Sequence, residues 1–87
     1  MIVKEFYITN EHGLHARPAS LLCNAASKYS SSIKVFCNGK EANAKSIVSV
    51  LVLEVYPGST IKVHIDGSDE EEACLELESL IENGFNE

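Results

Sequence analysis

Positive charge is scarce in this chain. Seven lysines and arginines stand against thirteen aspartates and glutamates, giving a net charge of −6 and an isoelectric point near 4.9. Nucleic-acid binding needs a basic face that displaces counterions from phosphates, so that class is excluded. The strands also offer no aromatic platform for stacking bases. No apolar run approaches the ~20 residues of a membrane-spanning helix, and no membrane insertion is expected. The opening Met1-Ile2-Val3-Lys4-Glu5 does not follow the basic-then-apolar layout of a secretory signal, so a cytoplasmic protein is expected. Cysteine is odd in number and scattered: Cys23, Cys37 and Cys74 form no C-x-x-C pair. That excludes a disulfide framework and a zinc site, and the three read as reduced, mostly buried small hydrophobes. Internal repeats, low-complexity tracts and linkers are absent.

What is present is enough apolar material for a core. Hydrophobic residues make up 45% of the chain, which argues against disorder, and 87 residues fit one domain, 1–87, with no separate catalytic module. The acidic surface suits brief encounters with positively charged protein patches, where long-range attraction raises on-rates without tight binding. A monomer is expected.

Periodicity marks out the elements. Ile2 to Thr9 alternates, with Ile2, Phe6 and Ile8 on one face, as a half-buried strand does. Asn10-Glu11-His12-Gly13 breaks the alternation. From about Ala16 to Lys28 the spacing turns helical, with Leu22, Ala25, Ala26 and Tyr29 on one stripe. Pro18 is tolerated there because a first-turn residue has no intrahelical use for an N–H. Ile33, Val35 and Cys37 alternate again, Asn38-Gly39 signals a hairpin, and Lys40 to Ala44 returns as a short strand. Ile47 to Leu53 is ambiguous, since β-branched content favours a strand and periodicity does not decide. Pro57-Gly58 turns the chain into a strand carrying Ile61, Val63 and Ile65. Ser68-Asp69-Glu70-Glu71 reads as a capping box opening a last helix, with Ala73, Leu77, Leu80 and Ile81 inward and Asn83-Gly84 closing it. Four strands with segregated helices imply an α+β sandwich: one antiparallel sheet with helices on one face.

The stretch that carries chemistry is Gly13-Leu14-His15-Ala16-Arg17-Pro18-Ala19. It runs from a strand-end loop into a helix, which puts His15 at or beside the N-cap. First-turn amides are unpaired there and the helix dipole adds positive potential, so the place is prepared for an anion. The Arg17 guanidinium can fork onto phosphate oxygens. Imidazole is nucleophilic near neutral pH and is also a good phosphoryl leaving group, so His15 can accept a phosphoryl group and pass it on. A histidine near a helix end also occurs as a plain cap or surface residue; Arg17 and Pro18 weigh toward function.

This stretch resembles the phosphorylation-site signature of HPr, the histidine phosphocarrier of the bacterial sugar phosphotransferase system. The resemblance covers nearly the whole chain: Ala44-Lys45-Ser46-Ile47 lies at the family's second signature, and Pro57-Gly58-Ser59 and Asp69-Glu70-Glu71-Glu72-Ala73 follow at matching spacing. The opening Ile8-Thr9-Asn10 and the ending Asn83-Gly84-Phe85 look closer to the nitrogen-branch relative, NPr. The resemblance implies an HPr-like open-faced sandwich, βαββαβα, with three helices on a four-stranded antiparallel sheet, and it makes Ile47 to Leu53 a short helix. It implies that His15 takes a phosphoryl group on Nδ1 from phosphorylated enzyme I, which draws it from phosphoenolpyruvate, and donates it to an EIIA domain or protein. Such a carrier is a phosphoryl-transfer intermediate rather than an enzyme, with no cofactor and no metal. Arg17 and the backbone amides of Ala16 and Arg17 would hold the phosphoryl oxygens, and Ile47, Val48 and Leu51 would dock partners. Core packing is the other reading of those three apolar residues.

Ser46 reads first as an N-cap for the second helix. By resemblance to carriers from organisms with an HPr kinase/phosphorylase, it is also a regulatory phosphorylation site, where a phosphate would put negative charge into the docking surface. Three departures stand out. His12 occupies a loop position where a small or amide residue is expected; it could tune His15, share a metal with it, or simply be solvated. Glu54 stands where a glycine is common, close to the expected phosphate. Asn24 and Ser27 replace basic residues that sugar-branch carriers often turn toward enzyme I, leaving Arg17 and Lys28 on that helix. The competing function is a regulatory binding module that signals through phosphorylation at His15, Ser46 or both.

Overall fold

The structure is a computed structural model that describes residues 1–86. Strands β1 (Ile2–Tyr7), β2 (Ser32–Cys37), β3 (Lys40–Asn43) and β4 (Thr60–Asp66) form one antiparallel sheet in the order β1-β4-β2-β3. Helices α1 (Ala16–Ser27), α2 (Ile47–Val52) and α3 (Glu70–Glu82) lie against it, followed by a 3₁₀ turn over Gly84–Asn86. The element order is therefore βαββαβα, as expected, with the terminal 3₁₀ turn in addition.

The alternation of the strands builds the core. Ile65 faces Ile2 on one side and Ile33 on the other, and Val63 pairs with Val35, so inward side chains of neighbouring strands line up in rows. Ile33, Val35, Ile61, Val63 and Ile65 are at most 1% exposed, and they meet Leu22 and Ala26 of α1 and Leu77 of α3, which are fully buried. Each large aliphatic side chain buried in this way contributes about 1.5–3 kcal/mol. Lys4 sits on the helix-facing side of edge strand β1, opposite Val63, and its ammonium reaches Glu78 of α3 at 2.7 Å. All three cysteines are free thiols and buried.

Asn38 and Gly39 carry φ of 54° and 77° between β2 and β3, the paired left-handed residues that a two-residue hairpin turn demands. Ile47 to Val52 is helical despite its β-branched content. Ser46 caps it by accepting a hydrogen bond from the Ser49 amide at 3.3 Å, and Val50 and Leu53 face the core. Tertiary burial decides between the two local states.

One local reading is corrected. The last helix does not open with a Ser68 capping box: Asp69 is its N-cap residue, and its carboxylate makes no hydrogen bond to its own helix. It accepts instead from the backbone amides of Ser30 at 2.8 Å and Ser31 at 2.9 Å and from both their hydroxyls. Those bonds, the Ser31 hydroxyl first, lower the Asp69 pKa from an ordinary 3.8 to about 2. The reciprocal half of a box survives one residue earlier, where the Gly67 amide donates to Glu70 Oε1 at 3.1 Å.

Candidate functional site

His15 is the N-cap residue of α1. Its backbone is extended, with φ −82° and ψ −169°, and its side chain makes no capping hydrogen bond. The first intrahelical bond runs from the Ala19 amide to the His15 carbonyl at 2.9 Å. Pro18 has no N–H to satisfy, so the first-turn amides that no intrahelical carbonyl can reach are those of Ala16 and Arg17. Pro18 is buried while Ala16 and Arg17 are exposed and His15 is half-buried, so the amides and the guanidinium open toward solvent.

The loop that presents His15 is held from below. Gly13 has φ +66°, and a Cβ at that position would lie 2.2 Å from the Val55 carbonyl oxygen. Only glycine fits so close an approach in that conformation. The Leu14 amide donates to the same carbonyl at 3.0 Å, the Gly13 amide donates to the Asn10 carbonyl at 3.1 Å, and Asn10 Nδ2 donates back to the Gly13 carbonyl at 2.5 Å. Leu14 points inward, 3% exposed. The imidazole is thus mounted on a loop tied to the segment following α2.

That segment forms the other side of the site. Ile47, Val48 and Leu51 are exposed, whereas Val50 of the same short helix is fully buried. Val52 and Tyr56 are also exposed and extend the apolar surface. The sequence reading omitted both, although Val52 is the next residue after Leu51. Ser46 is half-buried at the edge of this patch. Glu54 has φ 54°, so the position where glycine is common is left-handed here and carries a carboxylate. Tyr56 donates to Glu54 Oε2 at 3.0 Å, and that bond followed by the charge of Glu54 raises the phenol pKa.

His12 does not stand apart from the site. Its ring packs edge to face with His15, with centroids 5.4 Å apart and planes at 85°. Among the described residues there is no group of three or more His, Cys, Asp or Glu side chains arranged to hold a metal ion. No helix among them is long and apolar enough to cross a membrane. Asn10 is the supporting residue that periodicity missed; its signal is the turn chemistry of an asparagine followed three positions on by a positive-φ glycine.

Comparison with known proteins agrees with this geometry. The family described as the PTS HPr component phosphorylation site matches this chain over residues 2–83. The phosphocarrier protein HPr of Xylella fastidiosa (strain 9a5c) is 44% identical over 87 residues, covering 100% of this chain and 98% of its own. The crystal structure of HPr-C-His from Thermoanaerobacter tengcongensis is similar with a TM-score of 0.96 and 46% identity, covering 100% of this chain and 98% of that one. Crh, a catabolite repression containing protein of Bacillus subtilis, is similar at 31% identity with a TM-score of 0.75, covering 97% of each chain. The chain belongs to the HPr family, the phosphocarrier proteins of the phosphotransferase system.

Proposed function

We propose that His15 accepts a phosphoryl group from phosphorylated enzyme I, ultimately from phosphoenolpyruvate, and donates it to an EIIA domain or protein in the cytoplasm. The observation that carries this reading is the seat of His15 at the N-cap of α1, directly before the Ala16 and Arg17 amides. In the transfer, an N–P bond forms on His15 Nδ1 as the donor's P–N bond breaks, and the same exchange reverses onto the acceptor. Charge spreads over three phosphoryl oxygens, and fixed donors aimed at that charge are what the protein supplies. The two amides, the helix dipole and Arg17 are such donors. The exposed Ile47, Val48 and Leu51 are the apolar contact that brief, steered encounters with enzyme I and the acceptor require. Partners meet the chain as a monomer in this reading.

Intact-mass spectrometry after incubation with enzyme I, magnesium and phosphoenolpyruvate tests it. One acid-labile phosphate on the wild type and none on His15→Ala is the expected outcome. Absence of phosphate with the organism's own active enzyme I overturns it.

A second reading is favoured by Ser46, whose hydroxyl caps α2 at the margin of the docking patch. Phosphorylation there by an HPr kinase/phosphorylase would satisfy the helix N-terminus while setting negative charge against partners, a regulatory role compatible with the first. The resemblance to Crh, the catabolite repression containing protein of Bacillus subtilis, points the same way. Incubation with such a kinase and ATP, followed by peptide mapping, separates the two sites by acid stability.

A further inference from the structure

The imidazole of His12 is a chemistry-bearing group at the site to which the transfer assigns no part. It lies on the loop between β1 and α1, its side chain 67% exposed, against the His15 ring. Among the described residues, the carboxylates that face it are few and loosely held. Glu11 Oε1 is 4.0 Å from His12 Nε2 with Glu11 itself 86% exposed, a pairing worth little in water. Glu82 of α3 lines the same cleft, along with Thr9, Asn10, Asn83 and Gly84. From α1 it meets His15, with Arg17 two residues beyond. His12 is therefore free to rotate toward whatever His15 carries.

Charge makes that rotation consequential. Phosphorylation brings nearly two negative charges to a chain that already carries −6, with Glu11 and Glu82 close by. Arg17 is the permanent cation at the helix end. A protonated imidazole one ring contact away would add a second, for as long as the ring holds its proton.

We propose that His12 is a positioning residue for the phosphoryl group: its protonated ring donates a hydrogen bond to a phosphoryl oxygen on His15, so that this chain holds its phosphate more strongly at acid than at alkaline pH. The inference rests on the reading of His15 as the acceptor. The bonds made and broken in the transfer are unchanged, and His12 keeps its proton throughout.

The test is the phosphorylation equilibrium with enzyme I at a fixed ratio of phosphoenolpyruvate to pyruvate, read by ³¹P NMR at about pH 6 and about pH 8.5. His12→Gln and His12→Arg are compared with the wild type at each pH, which cancels the pH dependence of the donor couple. A charge-assisted hydrogen bond at an exposed site predicts an equilibrium constant ~3–10-fold lower for His12→Gln at the acid pH and within about twofold at the alkaline pH. His12→Arg, whose charge is permanent, matches the wild type at acid pH and exceeds it at alkaline pH. A purely structural role would shift both variants alike and without regard to pH. Wild type that takes phosphate while His12→Gln follows it at both pH values overturns this proposal alone; wild type that takes none overturns it together with the carrier reading.

Discussion

Two backbone positions beside His15 have the same left-handed conformation and opposite fitness for it. Gly13 is required: a methyl at its Cα would collide with the Val55 carbonyl at 2.2 Å, and relief means breaking the Leu14–Val55 bond that seats the loop. Gly13→Ala is expected to lose upwards of about 2 kcal/mol in urea unfolding and to slow transfer by displacing the imidazole. Glu54, at φ 54°, holds that conformation with a side chain that disfavours it. Glu54→Gly is expected to gain about 0.5–1 kcal/mol by the same measurement, the exposed Tyr56 bond being a small loss. The sequence made His15, Arg17 and Gly13 legible because each has a distinctive chemistry at a fixed offset. It concealed the contact between His12 and His15, because ring packing depends on how a loop folds back and leaves no periodic trace.

At the scale of elements, the strands and α1 were readable because their burial follows a simple period, and the hairpin because Asn-Gly suits paired positive φ. α2 was not readable from its residues: β-branched side chains oppose a helix locally, and only the burial of Val50 and Leu53 plus the Ser46 cap outweighs them. Ser46→Ala is therefore expected to cost about 1 kcal/mol, whereas Ser46→Asp should keep the cap and instead slow phosphorylation by enzyme I; thermal melts and transfer rates distinguish the two effects. The start of α3 was misread for the opposite reason. Asp69 looks like a local cap, yet it clasps Ser30 and Ser31 at the start of β2. Its pKa is depressed in the folded state, so its contribution is fully present above an unfolded value near 3.8 and disappears as pH falls through about 2. Stability should decline between about pH 4 and pH 2, and Asp69→Asn should be less stable at neutral pH and flatter over that acid range, as urea midpoints will record. Glu70 and Glu76 have lowered pKa values as well, so some acid sensitivity persists in the variant.

For the whole molecule, folding separates a dry side from a contact side. The apolar residues that α2 leaves outside, with Val48 71% exposed, have no partner in the sheet, so Val48→Asp should leave the melting temperature within a degree or two while slowing transfer from enzyme I about tenfold. Stopped-flow transfer rates beside a thermal melt check both halves of that statement. The three thiols record the dry side. Cys23 lies in α1, Cys37 at the end of β2 and Cys74 in α3, each no more than 8% exposed, with Cys23 donating to the Lys45 carbonyl at 3.0 Å. A thiol reagent meets each only when that element opens, at a rate set by the local opening free energy. The fold therefore carries three separate clocks of its own breathing, one per element and none of them on the loop that presents His15, so oxidative damage in a stressed cell would fall first on whichever element opens most often.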